Sequence, residues 1–214
     1  MDTINHNSGL SRRSFTAKYL PMRTICAAFM LLFTTCLTAQ VDSTTAATQI
    51  QERLDVYFQA NEEKDFDVIL DMIYPKLYDL APRPQVKSQF EAMDAGGMTF
   101  SIYDMAANAF SAPFVHEEEQ FVLVDYSHGM DMVLTDTSMQ ASAATMLPIF
   151  EGQYGKENVS YDADNFRFTM AISKKMLAIA PLASQKWMFI DFDPKNPVVL
   201  DMLFDEAVKE HFTR

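Results

Sequence analysis

His128 is the residue whose type and setting most invite chemistry. It lies in the run Phe121 to Leu134, where Val122, Val124, Tyr126, Met130, Met132 and Leu134 hold the even positions and Asp125, Ser127 and Asp131 the odd ones. Such alternation marks a half-buried antiparallel strand, which puts His128 on the apolar face. An imidazole there, titrating near neutrality, can act as a general base. A core histidine bonded to a neighbour satisfies the same pattern, and Gly129 beside it suits a bulge that would re-aim the ring. Tyr57, Tyr78, Tyr103 and Tyr126 offer hydroxyl donors around a ligand, with His128 and the soft side chain of Met130 completing the candidate binding set. Tyr74 could line the same cavity, although tyrosines at helical spacing beside phenylalanine also serve as the rim of a core. Asp125 and Asp131 fall on the opposite face of the strand, where carboxylates are ordinarily solvated.

The remaining combinations are chemically poorer. His116 stands next to Glu117, Glu118 and Glu119, but consecutive residues on a strand point in alternating directions and make a poor chelate. That run reads as a solvated hairpin tip. Asp191, Asp193 and Asp201 lack the glycine and closing glutamate of a calcium-binding loop. No phosphate loop, dinucleotide fingerprint, nucleophile elbow or zinc-protease signature occurs in the chain. The sequence therefore implies no metal and no cofactor, and its single, weak catalytic candidate is His128.

Composition limits the partners. The chain has 214 residues and a net charge of -12, with 49% apolar side chains, which suits one good-sized core. The acidic balance disfavours nucleic acid and anionic membrane surfaces. A neutral or basic partner remains open.

The first forty residues read as an address. Met22 and Arg23 precede the apolar run Ile25 to Phe33, and Thr34 to Gln40 supplies a zone of small residues. That is the layout of a secretory signal, and its apolar part is too short to span a bilayer. Met22 is the expected true start. Thr35 before Cys36 does not suit lipid anchoring, so cleavage near Ala39 and an exported, periplasmic or secreted product are expected. Residues 1–40 carry Arg12, Arg13, Lys18 and Arg23 against Asp2, so the remainder is more acidic still; it also contains neither cysteine. Without a thiol it has no Cys nucleophile, Cys-ligated zinc or disulfide.

The elements that must position His128 follow from periodicity. Residues 41–47 read as a tether, and 48–214 as a single α+β domain. Ile50, Leu54, Tyr57 and Phe58 recur at helical spacing. Asp65 caps a second helix carrying Phe66, Ile69, Leu70 and Ile73, which Pro75 ends. A third stripe, Val86, Phe90 and Met93, stops at Gly96-Gly97. Met98 to Val115 is extended. Ser138 to Tyr154 is helical, with a kink or split expected at Pro148. Phe166, Phe168, Met170 and Ile172 alternate as a strand, with Lys174-Lys175 beginning either its extension or a bulge. Lys186 to Phe192 forms a last strand around Trp187. Asn196-Pro197 opens a closing helix with Leu200, Leu203, Phe204, Ala207, Val208 and His211 on one face. The order predicts a curved antiparallel sheet packed on N-terminal helices, with room for a small ligand between.

Two segments carry a resemblance. The stretch from Tyr57 to Pro82, YFQANEEKDFDVILDMIYPKLYDLAP, resembles the opening of NTF2-like (cystatin-like cone) domains of exported Bacteroidota proteins. The stretch from Trp187 to Phe204, WMFIDFDPKNPVVLDMLF, resembles their final strand and the helix after it. The resemblance implies a cone-shaped α+β fold over roughly residues 45 to 212, here with an extra C-terminal helix and a longer Ser138–Tyr154 segment. On function it implies little, because such domains serve unrelated activities. Three functions follow as expectations. The first is non-catalytic binding of a small apolar molecule or a protein partner. The second is an isomerase or dehydratase with His128 as base. The third is a structural module that forms a homodimer through its sheet.

Overall fold

In a computed structural model, which describes residues 43–195 and 197–213, the alternation of the longest strand decides where everything else packs. The expected signal segment lies outside the described residues. The described residues group as one compact unit.

Helix α1 spans Ser43–Glu63, α2 Phe66–Met72, α3 Leu77–Leu80 and α4 Arg83–Ala95. Strands β1 (Met98–Phe110), β2 (Phe114–His116) and β3 (Glu119–Leu134) follow. Helices α5 (Thr137–Ala141) and α6 (Ala143–Tyr154) precede β4 (Val159–Asp162), β5 (Arg167–Pro181) and β6 (Met188–Asp191). Helices α7 (Pro197–Leu203) and α8 (Glu206–Thr213) close the described chain.

The six strands form one antiparallel sheet built on the β3–β5 pair. That pair runs in unbroken register from Glu119 opposite Pro181 to Val133 opposite Arg167. β1 and β2 lie along the other side of β3, and β4 and β6 share the far side of β5. The sheet is curved and does not close.

Its two faces have separate tasks. Even-numbered residues of β3 and β5 face α1 at one end, where Ile50, Leu54 and Phe58 pack on Val122, Val124, Met176, Ala178, Trp187 and Phe189. At the other end the same face meets α6, with Met132, Leu134, Phe168, Met170 and Ile172 against Met146, Leu147 and Phe150. A further cluster joins α2 and α4 to Phe121, Leu177 and Ile179 and to Leu200, Phe204 and Val208 of the C-terminal segment. Trp187, Phe168 and Phe189 are fully buried, and burial of side chains of this size contributes about 1.5–3 kcal/mol each. No described helix is long and apolar enough to cross a membrane.

Several local details differ from the sequence expectation. The residues read as a tether are helical from Ser43, and Ala46 is buried. The Ser138–Tyr154 helix splits at Ser142, whose amide closes a tight turn onto Met139 O at 3.0 Å, while Pro148 sits inside α6. Proline there removes a ladder bond and crowds the preceding turn, yet α6 continues through it to Tyr154. Of the two expectations for the Lys174-Lys175 pair, extension holds and the bulge does not: β5 runs through it in register with β3. The closing helix is two helices, interrupted at Phe204-Asp205. β4 is an added edge strand of four residues, too short to show a period.

Candidate functional site

Helices α1 and α6 cover the two ends of one sheet face and leave its middle uncovered. The residues in that gap are the even positions of β3 and β5 between the two packed ends. They line a cavity of about 400 Å³ whose walls include Tyr126, His128, Met130, Ile172 and Lys174 from the strands, Asp191 from β6, and Tyr57 and Asn61 from α1. Ile69, Phe90 and Ile102 extend the apolar wall.

The polar groups of this wall are mutually tied. Tyr126 stands directly opposite Lys174 in the β3–β5 ladder. The Tyr126 hydroxyl donates to Asp191 Oδ1 at 2.9 Å, and Lys174 Nζ donates to Asp191 Oδ2 at 2.8 Å. One carboxylate thus collects a phenol and an ammonium. Tyr126 is buried, whereas the side chains of Lys174 and Asp191 are 44% and 54% exposed. Both therefore stand at the cavity rim.

Burial, reinforced by the negative charge and hydrogen bond of Asp191, pushes the Tyr126 phenol far above its ordinary value. Burial and then Asp191 do the same to Tyr57. Both hydroxyls keep their protons at any physiological pH. Burial by itself would lower the Lys174 ammonium, but the charge and hydrogen bond of Asp191 together outweigh it and leave Lys174 raised.

His128 lies beside Tyr126, with ring centroids 6.0 Å apart and planes 18° from parallel. Its Nδ1 is 3.2 Å from the Gly129 carbonyl oxygen, so Nδ1 carries the proton of that bond and Nε2 keeps its lone pair. Burial lowers the imidazole's pKa, with the Gly129 carbonyl opposing and Lys174 adding to the decrease. The ring is neutral at neutral pH. Among the described residues no acid orients it, in contrast to the acid–histidine pairs of hydrolytic triads.

The structure brings four of the six sequence candidates together: Tyr57, Tyr126, His128 and Met130 share this cavity. Two stand elsewhere. The Tyr78 hydroxyl donates to the Leu70 carbonyl oxygen and joins α3 to α2. Tyr103 pairs with Gly129 and so lies on the other sheet face, where its hydroxyl is 3.3 Å from Asp131 Oδ1. Tyr103 alternates with Ile102, and the irregularity after it, with Asp104 at φ 53°, hid that parity in the sequence. Tyr74 faces a separate hollow and donates to Glu119 Oε2 at 2.8 Å.

Lys174 and Asp191 were not among the sequence candidates, although a signal existed. Lys174 keeps the even parity that runs from Phe168 through Ile172, and Asp191 keeps the parity of Trp187 and Phe189. Asp125 and Asp131, read as solvated, have partners on their own face. Lys175 is 3.4 Å from Asp125, and Thr169 donates to Asp131 at 2.8 Å.

Chemically, the cavity offers a neutral imidazole, two protonated phenols and an internally compensated Lys–Asp pair against apolar walls. One carboxylate and one imidazole do not make a chelating set for a metal. No family model matches the sequence, and no curated protein matches it.

Proposed function

We propose that the protein is an exported, non-catalytic domain that holds a small, largely apolar molecule in the cavity between α1, α6 and the sheet. The observation that carries this reading is the engagement of the cavity wall's one carboxylate. Asp191 is engaged by Tyr126 and Lys174, and His128 Nδ1 is engaged by a backbone carbonyl. A wall whose one carboxylate is already engaged, and whose imidazole is held through Nδ1 by a carbonyl instead of an acid, orients a ligand more readily than it transfers protons. The apolar remainder supplies affinity by removing ligand surface from water. Export is supported by the basic start, apolar run and small-residue zone of residues 22–40. The NTF2-like resemblance is in keeping with the curved sheet and the helix-lined hollow.

The test is ligand-observed NMR with a panel of small apolar molecules carrying a single hydroxyl or carbonyl. Binding that Met130→Trp abolishes supports the reading, because Met130 lines the cavity and the larger ring fills it. Binding untouched by Met130→Trp removes it.

A second reading has one observation in its favour. His128 is neutral and keeps the Nε2 lone pair on the cavity wall, which is what proton abstraction from a substrate carbon or hydroxyl needs. In an isomerase or dehydratase of this kind, His128 would take the proton, and Lys174 would stabilise negative charge developing on the substrate. If turnover of a ligand found by the panel is lost in His128→Ala while its binding persists, the protein is an enzyme. If wild type leaves each bound ligand unchanged, this reading fails.

A further inference from the structure

We propose that His116, Glu117 and Asp205 form a binding site for one divalent transition-metal ion, with zinc the best match to the donors. The site goes beyond the ligand-binding reading, and none of its residues lines that cavity. His116 ends β2, Glu117 opens the turn into β3, and Asp205 lies in the break between α7 and α8. One ligating atom from each comes within 4.8 Å of the other two. His116 Nε2 is 2.9 Å from Asp205 Oδ2. Adjacent donors around tetrahedral zinc, with bonds of roughly 2.0–2.2 Å, stand about 3.3 Å apart. A metal ion therefore enters between the ring and the carboxylate with an opening of a few tenths of an ångström.

Neighbours on a strand point in opposite directions, and on that ground the sequence spoke against a chelate here. The structure removes the objection. Glu117 has φ 53°, so the alternation stops at His116 and the glutamate turns back towards the same ion. An imidazole with two carboxylates is a borderline donor set that suits zinc and excludes calcium and magnesium, which take oxygen ligands alone. Three protein ligands leave a fourth position for water. Glu117 is exposed and the Asp205 side chain is 59% exposed, so neither loses a buried setting when the ion arrives. The net charge of -12 raises the local concentration of cations. With metal bound, the β2–β3 hairpin would be fastened to the α7–α8 link.

The experiment is calorimetric titration of the full chain with zinc chloride in chelator-free buffer, alongside thermal unfolding. Any zinc taken by the thiols of Cys26 and Cys36 would be common to wild type and variants, so the reading is the difference between them. Wild type is expected to bind one more equivalent of zinc than His116→Ala and to melt at a higher temperature with zinc than without. Glu117→Gln, an exposed change that leaves the fold intact, is expected to weaken that equivalent by at least about tenfold. Calcium at the same concentration should leave the heat of zinc binding unchanged. Equal stoichiometry and affinity in wild type, His116→Ala and Glu117→Gln would overturn the proposal. Displacement of zinc by calcium would also overturn it, because the imidazole would then not be a ligand.

Discussion

Tyr126 and Asp191 are joined by a hydrogen bond of 2.9 Å that crosses from β3 to β6 over the edge of β5. The phenol is buried, and the carboxylate reaches solvent at the cavity rim. The bond fixes the orientation of the wall that a ligand would meet. Tyr126→Phe keeps the ring stacked on Phe58, at a centroid distance of 6.0 Å, and deletes only the hydroxyl. Water can replace it at Asp191, so the loss should be about 1 kcal/mol. Urea unfolding followed by Trp187 fluorescence measures it. A loss near zero would mean that this hydrogen bond does not contribute to stability.

His128 should report the charges around it. Lys174 pulls its pKa down and Asp191 pulls it up. Lys174→Met should therefore raise the His128 pKa relative to wild type, and Asp191→Asn should lower it. NMR titration of the imidazole Cε1 proton gives both directions. Shifts of the same sign in the two variants would contradict the arrangement of the wall.

The same imidazole sets a pH dependence of stability. Its folded-state pKa lies below the ordinary 6.5, so near that pH the unfolded chain binds more protons than the folded one. Stability from this group is complete above 6.5 and is lost as pH falls through the depressed folded-state value. Denaturant midpoints from pH 8 down to pH 5 should therefore fall more in wild type than in His128→Asn, a window that lies above the ordinary carboxylate range. Parallel curves for the two proteins would show that His128 is not shielded from water.

Gly129 is required for a reason separate from backbone freedom. A Cβ at this position would stand 2.2 Å from the Tyr103 ring, which lies across it from β1. Gly129→Ala should destabilise by about 1–3 kcal/mol through overpacking. In a Tyr103→Ala background the same change should cost much less. A double-mutant cycle in denaturant measures the coupling, and strict additivity would refute the contact.

Much of this was legible in the chain. The alternation from Val122 to Leu134 gave both the strand and the face of His128, because one buried face imposes a period of two. The Asp65 cap gave the start of α2, and its side chain accepts from Val68 N at 3.2 Å. What stayed hidden depended on partners far along the sequence. Tyr103 takes the face opposite Ile102, beside Gly129 more than twenty positions away, and the register shift after it hides that parity in the sequence. Lys174 and Asp191 become a pair only when β5 and β6 align. The break at Phe204-Asp205 lies within a stretch whose apolar spacing alone suits one continuous helix. The closeness of Asp205 to His116 belongs to the fold and has no local signature.

Native mass spectrometry of the protein, purified from its own host without denaturation, tests the central claim most directly. Wild type is expected to carry a small-molecule adduct that activation in the gas phase releases, and Met130→Trp is expected to fly at the bare chain mass. Bare mass for both proteins, or the same adduct on both, would contradict a ligand seated against Tyr126 and His128.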